Sequence, residues 1–261
     1  MRRKTRLAEK VLFASKVFRL TKTARFGIIV TAILSFLIFA ISFYGMEAGN
    51  FTFTVDQRAY QIGVTLYENA DNKRYSTRLL AEKVENADGM TDLCGTEFST
   101  RPLGHPSCIP SNEEIHSKEG SNNGESYIAY TFYVEMQSNG NYVADLIAEI
   151  DIISTSKGAE EALRVKVIID GVATVYARRQ SEYGQNPGEL EPYTDQEFHG
   201  PSTVMRQSFI NFNPGDVKKV SVVIWYEGYD ADHTINLWSG GVKLAMNFTV
   251  TNVVLLEDDT N

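Results

Sequence analysis

The chain has 261 residues, 43% of them hydrophobic and 22% charged, and a net charge of −8; this is the composition of a globular protein with one or two domains. The charge is uneven: residues 1–25 carry nine Lys or Arg against the single Glu9, which leaves −16 for residues 26–261. Phosphate binding needs clustered cations, so a nucleic-acid-binding role is excluded for the main domain.

In chain order, the basic segment 1–25 precedes "FGIIVTAILSFLIFAISFYGM", Phe26 to Met46, which is 21 residues without a charge. A helix of that length spans about 30 Å, the thickness of the hydrocarbon core. Cations before it, with Glu47 and Asp56 after it, place the amino terminus in the cytoplasm and residues 47–261 outside. The expectation is a single-pass protein of the cell membrane with an extracellular main domain. A cleaved signal peptide is the competing reading. Both export the domain.

"GNFTFTVD" (49–56) alternates Phe51, Phe53 and Val55 with polar residues and predicts a half-buried strand. "YQIGVTLYE" (60–68) predicts a second. Residues 85–126, rich in Gly, Pro, Ser and Asn, predict a long surface loop. It holds the only cysteines, Cys94 and Cys108. Outside a cell such a pair reads most simply as a disulfide, with free thiols as the alternative; a zinc site lacks neighbouring ligands. Strands are then predicted at 126–136, 141–153, 164–170, 173–179, 202–212, 217–227 and 241–256. Asn139-Gly140 and Asp170-Gly171 read as hairpin turns, and 159–163 as one helical turn. The tail 257–261 is acidic. Nine or ten strands with hardly a helix predict an all-β, antiparallel, jelly-roll-like sandwich at 47–256. The sequons at Asn50 and Asn247 fall inside predicted strands and read as chance matches.

No GxSxG elbow, HExxH, phosphate-cradling glycine loop or Cys with a His base is present, so the expectation is a non-enzymatic protein. The most distinctive stretch is "NPGDVKKVSVVIWYEGYDADHTI" (213–235). Its turn leads into a strand expected to be central and covered on both faces near its end. Glu227, Asp230, Asp232 and Asn236 follow. Calcium takes six to eight oxygens, and these residues are the candidate ligands; the other reading is an acidic loop whose carboxylates cap turns. Calcium is the one cofactor considered. Trp225, Tyr226, Tyr229 and Trp238 are a candidate platform for sugar or protein, against core packing at the sandwich end.

The apolar segment followed by "GNFTFTVD", "YIAYTFYVE", "EALRVKVIIDG", "FNPGDVKKVSVVIWYEGYDAD" and "GGVKLAMNF" resembles a group of uncharacterised bacterial surface proteins. More distantly it resembles the TasA and camelysin-like proteins of biofilm matrix fibres. That resemblance implies an exported jelly-roll sandwich acting in surface structure, adhesion or matrix assembly. Its partners would be the membrane, other surface proteins or further copies of itself. In a cleaved, secreted form, Phe51, Phe53 and Val55 would form a donor strand passed into the next subunit. The resemblance also leads one to expect a cysteine near the place where His233 stands.

Overall fold

Alternating apolar and β-branched residues build the described architecture. The structure, a computed structural model, describes residues 28–37, 51–86, 88–94, 106–235, 237 and 240–256. Its contacts divide the chain into two units, Met1–Ala48 and Gly49–Asn261.

In the first unit, residues 28–37 form helix α1. Its Ile28, Ile33, Leu34 and Phe36 are exposed. Among the described residues no helix is long and apolar enough to cross a membrane. The rest of the predicted span (26–27 and 38–46) and the basic segment 1–25 lie outside the described residues.

The second unit contains β1 (Phe51–Val55), α2 (Gln57–Gln61), β2 (Val64–Tyr67), β3 (Arg78–Ala81), β4 (Met90–Thr91), β5 (Ser107–Cys108), α3 (Asn112–Ser117), β6 (Gly120–Ser121) and β7 (Tyr127–Met136). It continues with β8 (Tyr142–Ser156), β9 (Leu163–Ile169), β10 (Val172–Ala177), β11 (Gln196–Glu197), β12 (Thr203–Phe212), β13 (Val217–Tyr226) and β14 (Gly241–Leu255). Two main sheets pack as a sandwich. One runs β12-β8-β14-β1-β3, and the other runs β11-β10-β9-β13-β7-β2 with β6 beside β7.

The sheets are mixed, which corrects the antiparallel expectation. β1 lies parallel to β14, and β10 parallel to β11. Alternation tells which face a strand buries but not the direction of its partner. The first and last strands meet only in the tertiary structure. A second correction concerns Asn139-Gly140. β7 and β8 belong to different sheets, so this turn crosses the sandwich; neither residue has the positive φ that a type I′ hairpin needs. Asp170 and Gly171 do, at φ 49° and 86°, and they join β9 to β10 with Ile169 opposite Val172. The predicted second strand began too early. Asp56 accepts a hydrogen bond from the Ala59 N–H at 2.6 Å, caps α2, and draws Tyr60 and Gln61 into that helix. Residues 159–161 lie in a turn instead of a helical turn and Leu163 already begins β9, with Ala159 and Ala162 buried against Leu237.

Between the sheets, Phe53 stacks on Tyr130 at 4.8 Å and meets Phe132 at 4.4 Å. Phe51, Phe53, Phe132 and Phe248 have no exposed surface. Phe53→Ala is expected to cost about 3–5 kcal/mol, as lost transfer free energy plus an unfilled cavity. Thermal or urea unfolding would measure it; a loss under about 1 kcal/mol would mean the sheets close over the gap. Asp145 on β8 fixes two bulges at once. It accepts from the Asn211 N–H at 2.9 Å and from the Asn252 side-chain amide at 2.7 Å. Both asparagines have positive φ, and the pairing registers of β12 and β14 slip there.

The second sheet is covered on its outer face as well. Val220, Val222 and Ile224 of β13 point into the main core, whereas Val223 and Trp225 join a separate cluster with Met90, Ile109 and Ile115. Those last three come from the predicted loop 85–126. Its described parts therefore form a flap with β4, β5, α3 and β6. The Cys94–Cys108 disulfide closes the flap. A disulfide belongs to an oxidising compartment and points to an extracytoplasmic domain. Gly89 and Gly228 let the flap reach the acidic loop. A Cβ on Gly89 would lie 2.5 Å from the Gly228 Cα, and the Gly228 N–H donates to the Met90 carbonyl at 2.8 Å.

Candidate functional site: an aromatic cleft over buried charges

The outer face of β9 carries Arg164 and Lys166, alternating with the core residues Leu163, Val165 and Val167. By pattern alone these cations would face water. Instead the flap and two loops bury them to 3% and 1% exposure. Lys166 pairs with Asp92 at 2.5 Å, bonds the Asn112 side-chain oxygen at 2.9 Å, and lies 5.7 Å from the centre of the Trp225 ring. Arg164 stands opposite Trp225 in the β9–β13 register. It donates to Asp230 at 2.7 Å and pairs with Glu191 at 3.2 Å.

Over this floor opens a cleft of about 380 Å³. Three segments wall it: the flap at Asp92 and Leu93, the loop between β10 and β11, and the acidic loop after β13. Its rings are Trp225, Tyr229, Tyr183 and Tyr193. Trp225 is 2% exposed, Tyr229 44%, and Tyr183 and Tyr193 71% each.

The electrostatics are lopsided. Four lining residues are acidic (Asp92, Glu191, Glu227 and Asp230), and Arg164 is the one cation among the described lining residues. Burial, with the Asp230 carboxylate beside it, pushes the Glu191 carboxyl up to about 7, although Arg164 opposes this. Burial also raises Glu227, against the hydrogen bond it accepts from the Trp225 indole N–H and one from the Tyr229 N–H. Both shifts are led by desolvation, so the cleft floor holds carboxyl groups where their charged form is costly unless a cation comes close.

Glu191 makes a pH test available. Its carboxyl keeps its proton in the folded chain up to about 7 and loses it near 4.5 in the unfolded chain. The folded state therefore binds the proton more tightly, and stability falls as pH rises across that window. The penalty is absent below it and complete above it. Glu191→Gln is expected to be more stable than the parent by about 1–2 kcal/mol at pH 8, a figure reduced for the lost bond to Arg164. The gap should close by pH 5. Urea unfolding at both pH values would show this; a variant equally destabilised at both would mean that the bond to Arg164 dominates.

The acidic residues singled out in the sequence divide. Glu227 and Asp230 line the cleft. Asp232 lies beside it, with oxygens of Glu191, Asp230 and Asp232 all within 4.8 Å of one another. Asn236 lies outside the described residues. Asp230 is held by Arg164 and accepts from the Asp232 N–H at 2.8 Å, the turn-capping arrangement that competed with calcium. Asp232 accepts from the Ser181 hydroxyl at 3.0 Å. The aromatic candidates divide too. Trp225 and Tyr229 share the cleft, Tyr226 is half-buried and packs against the main core, and Trp238 lies outside the described residues. Glu191, Tyr183, Tyr193 and Arg164 were not recognised from sequence. The crowding of Tyr and Glu in residues 180–201 is the one signal that could have pointed to the first three, and nothing in the spacing marks Arg164.

Elsewhere, His116 Nδ1 lies 2.8 Å from the Ser221 hydroxyl, which lies 2.7 Å from that of Thr131. Ser221 has no exposed surface, so this is a buried polar chain and not an accessible nucleophile. Phe51, Phe53 and Val55 are buried in their own sandwich, with β1 between β14 and β3.

Fold and site together define a β-sandwich whose loops build an aromatic, acid-floored cleft on the outer face of one sheet. No family model matches the chain, and no curated protein matches it. Among solved structures it is similar to a β-glucosidase from Kluyveromyces marxianus, at 11% identity over 75% of this chain and with a TM-score of 0.22. The match spans 16% of that enzyme's length, and a likeness at that score carries no argument about function.

Proposed function

We propose that this chain is a non-enzymatic binding module of the cell surface. The apolar run 26–46 anchors it in the membrane with the amino terminus inside. A jelly-roll-like sandwich is displayed outside, where its cleft holds a ligand in adhesion or matrix contact. One observation carries this reading: three exposed or half-exposed tyrosines and the edge of Trp225 converge on a concave site of about 380 Å³. Such rings offer apolar contact area with a polar tip, and most ligand sites are concave and mainly apolar with a few placed polar groups. The outward apolar side chains of α1 support the anchor. Connections that cross between the sheets, as from β7 to β8 and from β13 to β14, support the jelly-roll topology.

A distant kinship with the TasA and camelysin-like proteins fits this placement. Strand exchange has less support, because Phe51 and Phe53 are fully buried within this chain. The test has two parts. The mature amino terminus, determined on protein from its native envelope, should be that of an intact chain in the membrane fraction. A start between Phe43 and Gly49 would replace the anchor with a secreted form. Binding to surface glycans should be lost in a Tyr183→Ala, Tyr193→Ala double variant that still unfolds cooperatively.

A second reading rests on Glu191. A carboxyl that keeps its proton up to about 7 at a cleft floor has the property of a general acid. Hydrolysis of a bound glycan, lost in Glu191→Gln, would replace binding by catalysis.

A further inference from the structure

We propose that the ligand of the cleft is a glycan bearing free amino groups, held with its sugar faces on the tyrosine rings and an ammonium group at the acidic floor. This rests on the binding-module reading and adds the chemical class. Size comes first. A cleft of about 380 Å³ is within the roughly 300–1,000 Å³ of small-molecule sites and far larger than one ion needs.

Charge comes second. Lys166 neutralises Asp92, and Arg164 is shared between Glu191 and Asp230. Glu227 takes hydrogen bonds from the Trp225 indole, the Tyr229 N–H and the Thr91 side chain; Arg164 acts on it only through its field, and no ion pair holds it among the described residues. Glu191 gives up its proton when a cation arrives, and with Glu227 it then leaves the floor negative in a partly desolvated place, where a cation is worth most. An anionic ligand would meet repulsion, and a neutral one would leave Glu227 without an ion pair.

The rings decide which cation. Tyr and Trp faces attract an organic ammonium, whereas a calcium ion needs six to eight oxygens. The nearest oxygen set, Glu191, Asp230 and Asp232, has the Arg164 guanidinium against two of its three members. That fixed cation opposes a divalent ion. An ammonium can instead enter the cleft that Tyr183 and Tyr193 line, and these rings, 71% exposed, have free surface for a pyranose.

The experiment is calorimetric titration of the full chain in detergent at neutral pH with four probes. These are a glucosamine tetramer, the N-acetylglucosamine tetramer, Nα-acetyl-lysine amide and calcium chloride. The glucosamine tetramer is expected to bind. Acetylation of its amines, or Glu191→Gln in the protein, should each weaken binding by about tenfold or more, the lower end of the coupling of close interfacial charge pairs. Urea unfolding of the variant at the pH of the titration would show that weakened binding does not reflect unfolding. Equal binding of the acetylated tetramer would overturn the ammonium inference and leave the binding module standing. Binding of the lysine amide alone would overturn the glycan assignment. Calcium binding that is lost in Glu191→Gln would make the floor an ion site and overturn the inference. Silence from all four probes would overturn both the inference and the binding-module reading.

Discussion

Arg164→Ala is expected to lower stability by about 3–5 kcal/mol, the loss seen when one partner of a buried ion pair is removed. Arg164 is 3% exposed, and its partners Glu191 and Asp230 are buried with it. Losing the guanidinium removes the bonds at 2.7 and 3.2 Å and leaves two carboxylates close together in low dielectric. They respond by taking up a proton or by opening the loops to water. The first response predicts that the variant's deficit shrinks as pH falls; the second predicts loss of the cleft itself. Urea unfolding across acidic and alkaline pH would measure the deficit, and the change in Trp225 fluorescence would report the cleft. A loss under about 1 kcal/mol would mean that water already reaches the pair and that the floor is not desolvated.

The second large effect is expected from the disulfide. Replacing both Cys94 and Cys108 with Ser should cost about 3 kcal/mol, the chain-entropy value for a loop of about 15 residues. Their separation is 14 positions. The loss should be felt first on the outer face. The flap supplies Met90, Ile109 and Ile115 to the cluster that covers Val223 and Trp225, and it supplies Asp92, the partner of buried Lys166. Hydrogen exchange should therefore rise in β4, β5 and α3 and at the Trp225 end of β13, while β8 and β14 of the other sheet stay protected. Uniform loss of protection would show that flap and sandwich unfold as one unit.

These effects sit where sequence and structure differ most in what they reveal. Nine strands were legible because their alternation is strong and their turns carry Gly, Pro, Asn or Asp. β13 reads as central and covered on both faces from Val220 to Trp225, and it lies between β7 and β9. β3 and the two-residue strands β4, β5, β6 and β11 were not legible. They hold too few residues to show a period, and their partners, not their own pattern, make them strands. The loop 85–126 read as a surface excursion because it is polar. Its few apolar residues suffice for a flap because the disulfide holds them over an apolar sheet face.

The site follows the same rule. Trp225, Glu227, Tyr229 and Asp230 are contiguous with one strand end, so the sequence could point to them. Glu191, Tyr183 and Tyr193 lie in a loop that precedes β13, and Arg164 lies on a neighbouring strand. Local spacing carries no information about such meetings.

By itself, the sequence determined the β-rich class of the main domain, the charge reversal after residue 25 and most strand positions. Each of these depends on neighbours in the chain, through alternation, turn chemistry and local charge. Only the tertiary structure decided the parallel meeting of β1 with β14, the crossing at Asn139-Gly140 and the burial of Arg164 and Lys166. Those outcomes depend on which distant surfaces must be covered together. A cation in an alternating strand faces water until a loop from elsewhere brings it a carboxylate.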